Sequence, residues 1–226
     1  MAPLALVAVV VIGVSVGPLT PVGQASSFGG LVAASVGSWT DTVDPIVAPA
    51  RRCDDFDGSG GALDGRAASC GSTWSATGAN WRVSGGTVTG TGSAGVATVD
   101  AGSSNATVAV DVIGASANNR RGGVVVAHSS LVYLAAVLEA SDGLRVMLVS
   151  GNSTTTLATA TVPIGQITRL ALTRNGADVT VTVDGVQHVA VTLKDGPNTA
   201  LTGTGAGLSK GQGPPGEFDE FEVTLP

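Results

Sequence analysis

Two acidic-aromatic runs bracket the part of the chain that reads as folded. They are Cys53-Asp54-Asp55-Phe56-Asp57 and Phe218-Asp219-Glu220-Phe221-Glu222-Val223. Carboxylates and carbonyl oxygens are the ligands a hard cation takes. If the first and last strands meet, Asp55, Asp57 and Asp219 are the side chains expected to hold a structural Ca2+. The plainer reading is that these are solvated acids on edge strands, where charge deters edge-to-edge pairing. Cys53 and Cys70 are the only two cysteines. In an exported chain such a pair reads as a disulfide, and two thiols alone are too few for a metal centre. Closing that short loop stabilises the fold by ~3 kcal/mol on the chain-entropy model.

Acid–base chemistry has thinner support. Retaining glycoside hydrolysis needs two carboxyl groups facing each other at about 5–5.5 Å. The four glutamates are Glu139, Glu217, Glu220 and Glu222. Glu139 and Asp142 run into a turn, while Glu220 and Glu222 share one face of a regular closing strand. The two histidines, His128 and His188, come with no G-x-S-x-G elbow and no metal ligands at short spacing. A ligand patch is better furnished by the polar loop at 115–121. Its Asn118, Asn119, Arg120 and Arg121 join His128 and Tyr133 from the neighbouring segments. Sugars are bound by an aromatic platform ringed with a few hydrogen-bonding groups. Aromatic residues make up 4% of this chain, so few are free for that role. Trp81 and Phe56 read as core. Phe218 and Phe221, three apart, face opposite sides of a regular strand, so only one of them enters the core cleanly.

Short strands must position these groups. At 106–113, Val108, Val110 and Val112 share one face, and Thr107, Ala109 and Asp111 share the other. Residues 124–127 and 131–138 are apolar on both faces and read as central strands. Valines alternate on both arms around Asp184-Gly185, which is a hairpin with a tight primed turn. Asp142-Gly143 is a second turn of that type, and 195–198 is a loop by composition. Helical period is absent throughout. Many short strands with frequent turns indicate an all-β, two-sheet antiparallel β-sandwich or a barrel.

No charged side chain precedes Asp41, and residues 3–16 are nearly all aliphatic. That run is short of the ~20 residues a membrane-spanning helix needs. It matches the apolar core of a signal peptide, with small residues following at Ala25 and Ala34. Residues 1–34 are therefore expected to be a signal peptide or weak membrane anchor, 35–52 a linker, and 53–226 one domain. The net charge of −6 argues against nucleic-acid binding, which uses basic patches. The expected location is outside the cell, secreted or anchored at the cell surface.

The order of motifs carries a resemblance. D-D-F is followed by W-x-x-x-G-x-x-W-x-V-S-G-G-T-V at 74–88, A-T-V-D-A-G at 97–102, and R-G-G-V-V-V at 121–126. V-T-V-D-G at 181–185, G-A-G-L at 205–208 and F-D-E-F-E-V then close the series. This series resembles the concanavalin A-like, laminin-G-like jelly-roll domains of secreted bacterial proteins. S-W-T-D-T-V at 38–43 is similar to the stretch after the signal in actinobacterial exported proteins. The resemblance implies a jelly roll and a non-catalytic role in adhesion or in binding an extracellular glycan or cell-wall polysaccharide. A structural part of a cell-surface or phage assembly is the alternative. A glycoside hydrolase of the same fold is a third reading. Laminarinase-type enzymes, however, carry E-x-D-x-x-E on one strand, and the spacing of Glu139 and Asp142 does not reproduce it.

Overall fold

The structure, a computed structural model, describes residues 51–69, 71–114, 122–139, 143–212 and 216–226, with backbone only for 51–53. The signal or anchor segment 1–34, nearly all of the linker, Cys70, the Cys53 side chain, Asn118, Asn119, Arg120, Arg121 and Asp142 lie outside the described residues.

Period-two alternation folds as it reads, into two antiparallel sheets. The first sheet runs β14 (Val186–Thr192), β13 (Asp178–Val183), β12 (Ile167–Asn175), β7 (Ala106–Ile113), β16 (Gly216–Thr224), β5 (Thr87–Thr91), β4 (Asn80–Ser84) and β2 (Gly61–Ala62), and β1 (Arg51–Asp54) also pairs with β16. The second runs β11 (Ser153–Thr161), β10 (Gly143–Ser150), β9 (Val132–Glu139), β8 (Gly122–His128), β15 (Gly205–Lys210), β6 (Gly95–Asp100) and β3 (Ser75–Thr77). The inward faces form one core. Val108, Val110, Val112, Leu170, Leu172 and Val181 from the first sheet meet Val124, Val126, Leu134, Leu138, Val146 and Leu208 from the second. This is a jelly-roll β-sandwich. The two doubly apolar segments are indeed interior strands, β8 and β9. At the β13–β14 hairpin Asp184 (φ 50°) and Gly185 (φ 79°) both adopt the left-handed conformation a type I′ turn requires. The presumed loop at 195–198 opens a short helix, α1 (Asp195–Ala200), in which the Asn198 N–H donates to the Lys194 carbonyl. Among the described residues no helix is long and apolar enough to cross a membrane.

The acidic-aromatic ends do meet. Asp54 lies opposite Phe221, and Cys53 lies opposite Glu222. Trp74 stacks between Phe56 and Phe221, with ring centroids 5.8 and 4.8 Å away. The buried Asp54 carboxylate accepts the Trp74 indole N–H at 2.7 Å and the Phe56 backbone N–H at 2.9 Å. These bonds satisfy a charge that would otherwise be costly to bury. Asp54 is a structural residue.

One expectation is corrected here. Phe218 and Phe221 are both buried on the same inward face. A β-bulge is the reason. Asp219 opposes Asp111 and Glu222 opposes Ala109, so Glu220 and Phe221 share Val110 between them. Glu220 takes φ 50°, and the extra residue resets the alternation. Asp219 and Glu222 consequently share the outward face, rather than Glu220 and Glu222.

Candidate functional site

The outward face of the second sheet carries a second apolar cluster, separate from the core: Val96, Val125, Ala135, Val137 and Met147, with Tyr133 and Val149 packed against it. The pairing register explains its membership. Tyr133, Ala135 and Val137 on β9 stand opposite Val149, Met147 and Arg145 on β10, and Ala135 also faces Val125 on β8. Small residues form the floor, and larger ones flank it. Gly123 and Gly207 contribute no side chain there at all. A Cβ on Gly207 would fall on the Ala97 carbonyl oxygen, and one on Gly123 on that of Ala136. The strands thus approach too closely for any side chain at these two positions.

The face is a trough of two adjoining depressions. One, of about 480 Å3, has polar walls that include Thr77, His128, Ser130 and Asn152. The other, of about 390 Å3, is lined by Val137, Met147, Arg145, Glu139 and Thr154. Tyr133, Val149 and Ser209 belong to both. These volumes lie at the lower end of the range for small-molecule sites. Leu131, 64% exposed, stands at the lip.

His128 and Tyr133 meet at this junction, with ring centroids 5.2 Å apart and planes inclined by 43°. Two local devices bring them together. The β8–β9 connection is tightened where the Ser129 N–H and hydroxyl both donate to the Val132 carbonyl, at 2.9 and 3.1 Å. A second bulge re-aims the histidine. Val125 opposes Gly207 and His128 opposes Gly205, so Val126 and Ala127 share the one intervening residue, and Ala127 takes φ 54°. Strict alternation from Val125 would have turned His128 into the core. With the bulge it faces the trough. Burial lowers the pKa of His128 and raises that of Tyr133. At neutral pH the site therefore presents a neutral imidazole and a protonated phenol, each able to donate and accept hydrogen bonds. Glu139 is held by Arg145 in an ion pair at 2.5 Å.

Of the sequence-derived ligand residues, His128 and Tyr133 come together in the trough, while Asn118, Asn119, Arg120 and Arg121 are outside the described residues. Arg145, Met147, Asn152 and Ser209 were not anticipated. Arg145 had a readable signal, because a lone charge in an otherwise apolar strand marks the outward face.

The carboxylates proposed for calcium lie elsewhere, by the closing strand of the first sheet. Burial raises the pKa of Asp219, the Glu220 N–H bonded to it lowers it, and the charges of Asp111, Asp57 and Asp55 raise it further. Asp55 accepts the Asp57 N–H and the Ser69 hydroxyl at 3.2 and 3.3 Å. Arg169 offsets part of the acidity through Asp111 at 3.1 Å and Glu222 at 3.3 Å. Among the described residues no three His, Cys, Asp or Glu side chains converge as a metal site.

No protein-family model matches the chain, and no curated protein matches its sequence. Solved structures share its fold. Carbohydrate-binding module CBM66 from Bacillus subtilis is 14% identical with a TM-score of 0.50, covering 67% of this chain and 91% of that one. The exoplasmic/lumenal domain of VIP36, in a Ca2+/Man3GlcNAc-bound form, is 16% identical with a TM-score of 0.50, covering 68% of this chain and 83% of that one. The GH43 protein BlXynB from Bacillus licheniformis is 18% identical with a TM-score of 0.54, covering 77% of this chain but 39% of its own length. The jelly-roll sandwich is thus one shared with a carbohydrate-binding module, the VIP36 exoplasmic/lumenal domain and a GH43 protein.

Proposed function

We propose that this is an exported, non-catalytic module that binds a glycan in the trough of its second sheet. The observation that carries the proposal is the Tyr133–His128 pair at the junction of the two depressions. A half-buried aromatic ring beside a neutral imidazole, with hydroxyl and amide groups around them, is what a sugar ring needs for stacking and hydrogen bonding. The names of the structural neighbours, a carbohydrate-binding module and VIP36 in a Ca2+/Man3GlcNAc-bound form, support the same reading. Binding is favoured over hydrolysis because the one carboxylate among the described lining residues, Glu139, is engaged by Arg145. Hydrolysis would need a second acid facing it.

Export, signal cleavage within 1–34 and a Cys53–Cys70 disulfide belong to the same proposal and rest on the sequence. Intact mass before and after reduction tests the disulfide. Calcium belongs to it through electrostatics rather than chelation. Burial is the main cause of the raised Asp219, and a cation beside Asp55, Asp57 and Asp219 would relieve the carboxylate repulsion that adds to it. A Tm that does not respond to calcium or to chelator removes the ion from the account.

The proposal is tested by screening extracellular and cell-wall polysaccharides against the native chain and Tyr133→Ala. Binding should be found, and the variant should weaken it at least about tenfold, the scale of a lost aromatic platform. Equal binding by both proteins would move the site out of the trough.

A further inference from the structure

The two depressions differ in chemistry, and the difference specifies the ligand further. Resting on the glycan reading above, we infer that the glycan carries acyl substituents, as N-acetyl or O-acetyl groups, and that the Met147 depression receives them. The first depression, beside Tyr133, is walled by Thr77, His128, Ser130 and Asn152, and suits a hydroxylated ring. The second opens from the same tyrosine, and Val137, Met147 and Val149 form its apolar wall, beside Arg145, Glu139, Thr154 and Ser209. Val137 and Met147 belong to an apolar cluster. An unsubstituted sugar would place hydroxyl groups against Val137 and Met147, where they lose hydration. An acetyl methyl would instead remove apolar surface from water.

A second observation concerns the carbonyl of such a group. The Arg145 Nε is buried and has no hydrogen-bond partner among the described residues, although the guanidinium is fixed from its far side by Glu139. A buried donor without an acceptor is a standing cost. Amide and ester carbonyls are acceptors for such an N–H. An acyl group supplies both halves of the complement, a methyl for Met147 and Val137 and a carbonyl for Arg145. A plain hydroxyl can accept from Arg145 but brings no methyl.

The test uses matched glycan pairs with the full chain, read by calorimetry. One pair is the hexamer of β-1,4-linked N-acetylglucosamine against that of β-1,4-linked glucose. The other is acetylated xylan before and after mild saponification. In at least one pair the acylated member should bind about fourfold tighter or more, the scale of one buried methyl. Met147→Gln and Arg145→Lys should erase that preference, so that the two members of the pair bind alike. Thermal melts of both variants exclude misfolding. Equal binding of both members, abolished by Tyr133→Ala, overturns the acyl inference and leaves the glycan reading standing. Binding to neither pair nor to any glycan in the wider screen overturns both.

Discussion

Deleting Glu220 should be tolerated, although it sits within a strand paired on both edges. Two residues of β16, Glu220 and Phe221, face the single residue Val110. Removing Glu220 would leave Phe221 opposite Val110 and Glu222 still opposite Ala109, so every inward side chain stays inward. The deletion relieves a left-handed φ of 50° in a residue with a Cβ, worth roughly 1–2 kcal/mol. It forfeits the hydrogen bond from Arg169 to the Glu220 carbonyl, worth about 0.5–1.5 kcal/mol net. These terms nearly cancel, and stability should change by no more than about 1 kcal/mol. Deleting Asp111 from the regular strand β7 provides the contrast. It would invert one side of that strand and expose buried Val108 and Val110, a loss of ~3–6 kcal/mol. That is a large part of the ~5–15 kcal/mol a domain has. Urea unfolding followed by fluorescence of the buried Trp74 and Trp81 reads both variants. A loss above about 3 kcal/mol for the Glu220 deletion, with an unchanged m-value, would refute the bulge as an inserted residue.

Three further outcomes follow from the same geometry. Asp219→Asn should stabilise the protein at neutral pH: because the folded carboxyl titrates above its ordinary value of 3.8, its favourable contribution is complete below that pH and is lost as pH rises through the raised value. The melting difference between variant and parent should therefore vanish in acid and grow as pH rises. Gly207→Ala, whose new methyl meets the Ala97 carbonyl, should cost ~1–3 kcal/mol in urea unfolding and weaken ligand binding, since the floor of the trough must shift. Glycan affinity should hold level from pH 8 down to the ordinary histidine value of 6.5, because burial keeps His128 neutral, and should change only below it in calorimetric titrations, an effect absent from His128→Gln.

Much of the sandwich was legible because its signals are local. The Val108–Val110–Val112 alternation, the Asp184-Gly185 turn and the doubly apolar segments at β8 and β9 each state their own place. Val125, Ala135 and Val137 were harder. In strands apolar on both faces, period two cannot say which set enters the core and which lines a trough. The bulges were invisible for a different reason. Left-handed positions usually announce themselves with Gly or Asn, and here they are filled by Ala127 and Glu220. Each inserts a residue without a compositional mark, so strict alternation admits only one of Phe218 and Phe221 to the core and would have misplaced His128. Tyr133 and His128 were found as polar aromatic groups near a loop. Their contact depends on strand pairing that spacing alone does not contain.

The most direct test of the trough is amide NMR of the labelled chain titrated with the best glycan from the screen. Shifts should concentrate on Tyr133, His128, Arg145, Met147 and Ser209, and saturate with one affinity. Shifts concentrated instead around Asp111, Arg169 and Asp219 on the opposite sheet would contradict the account.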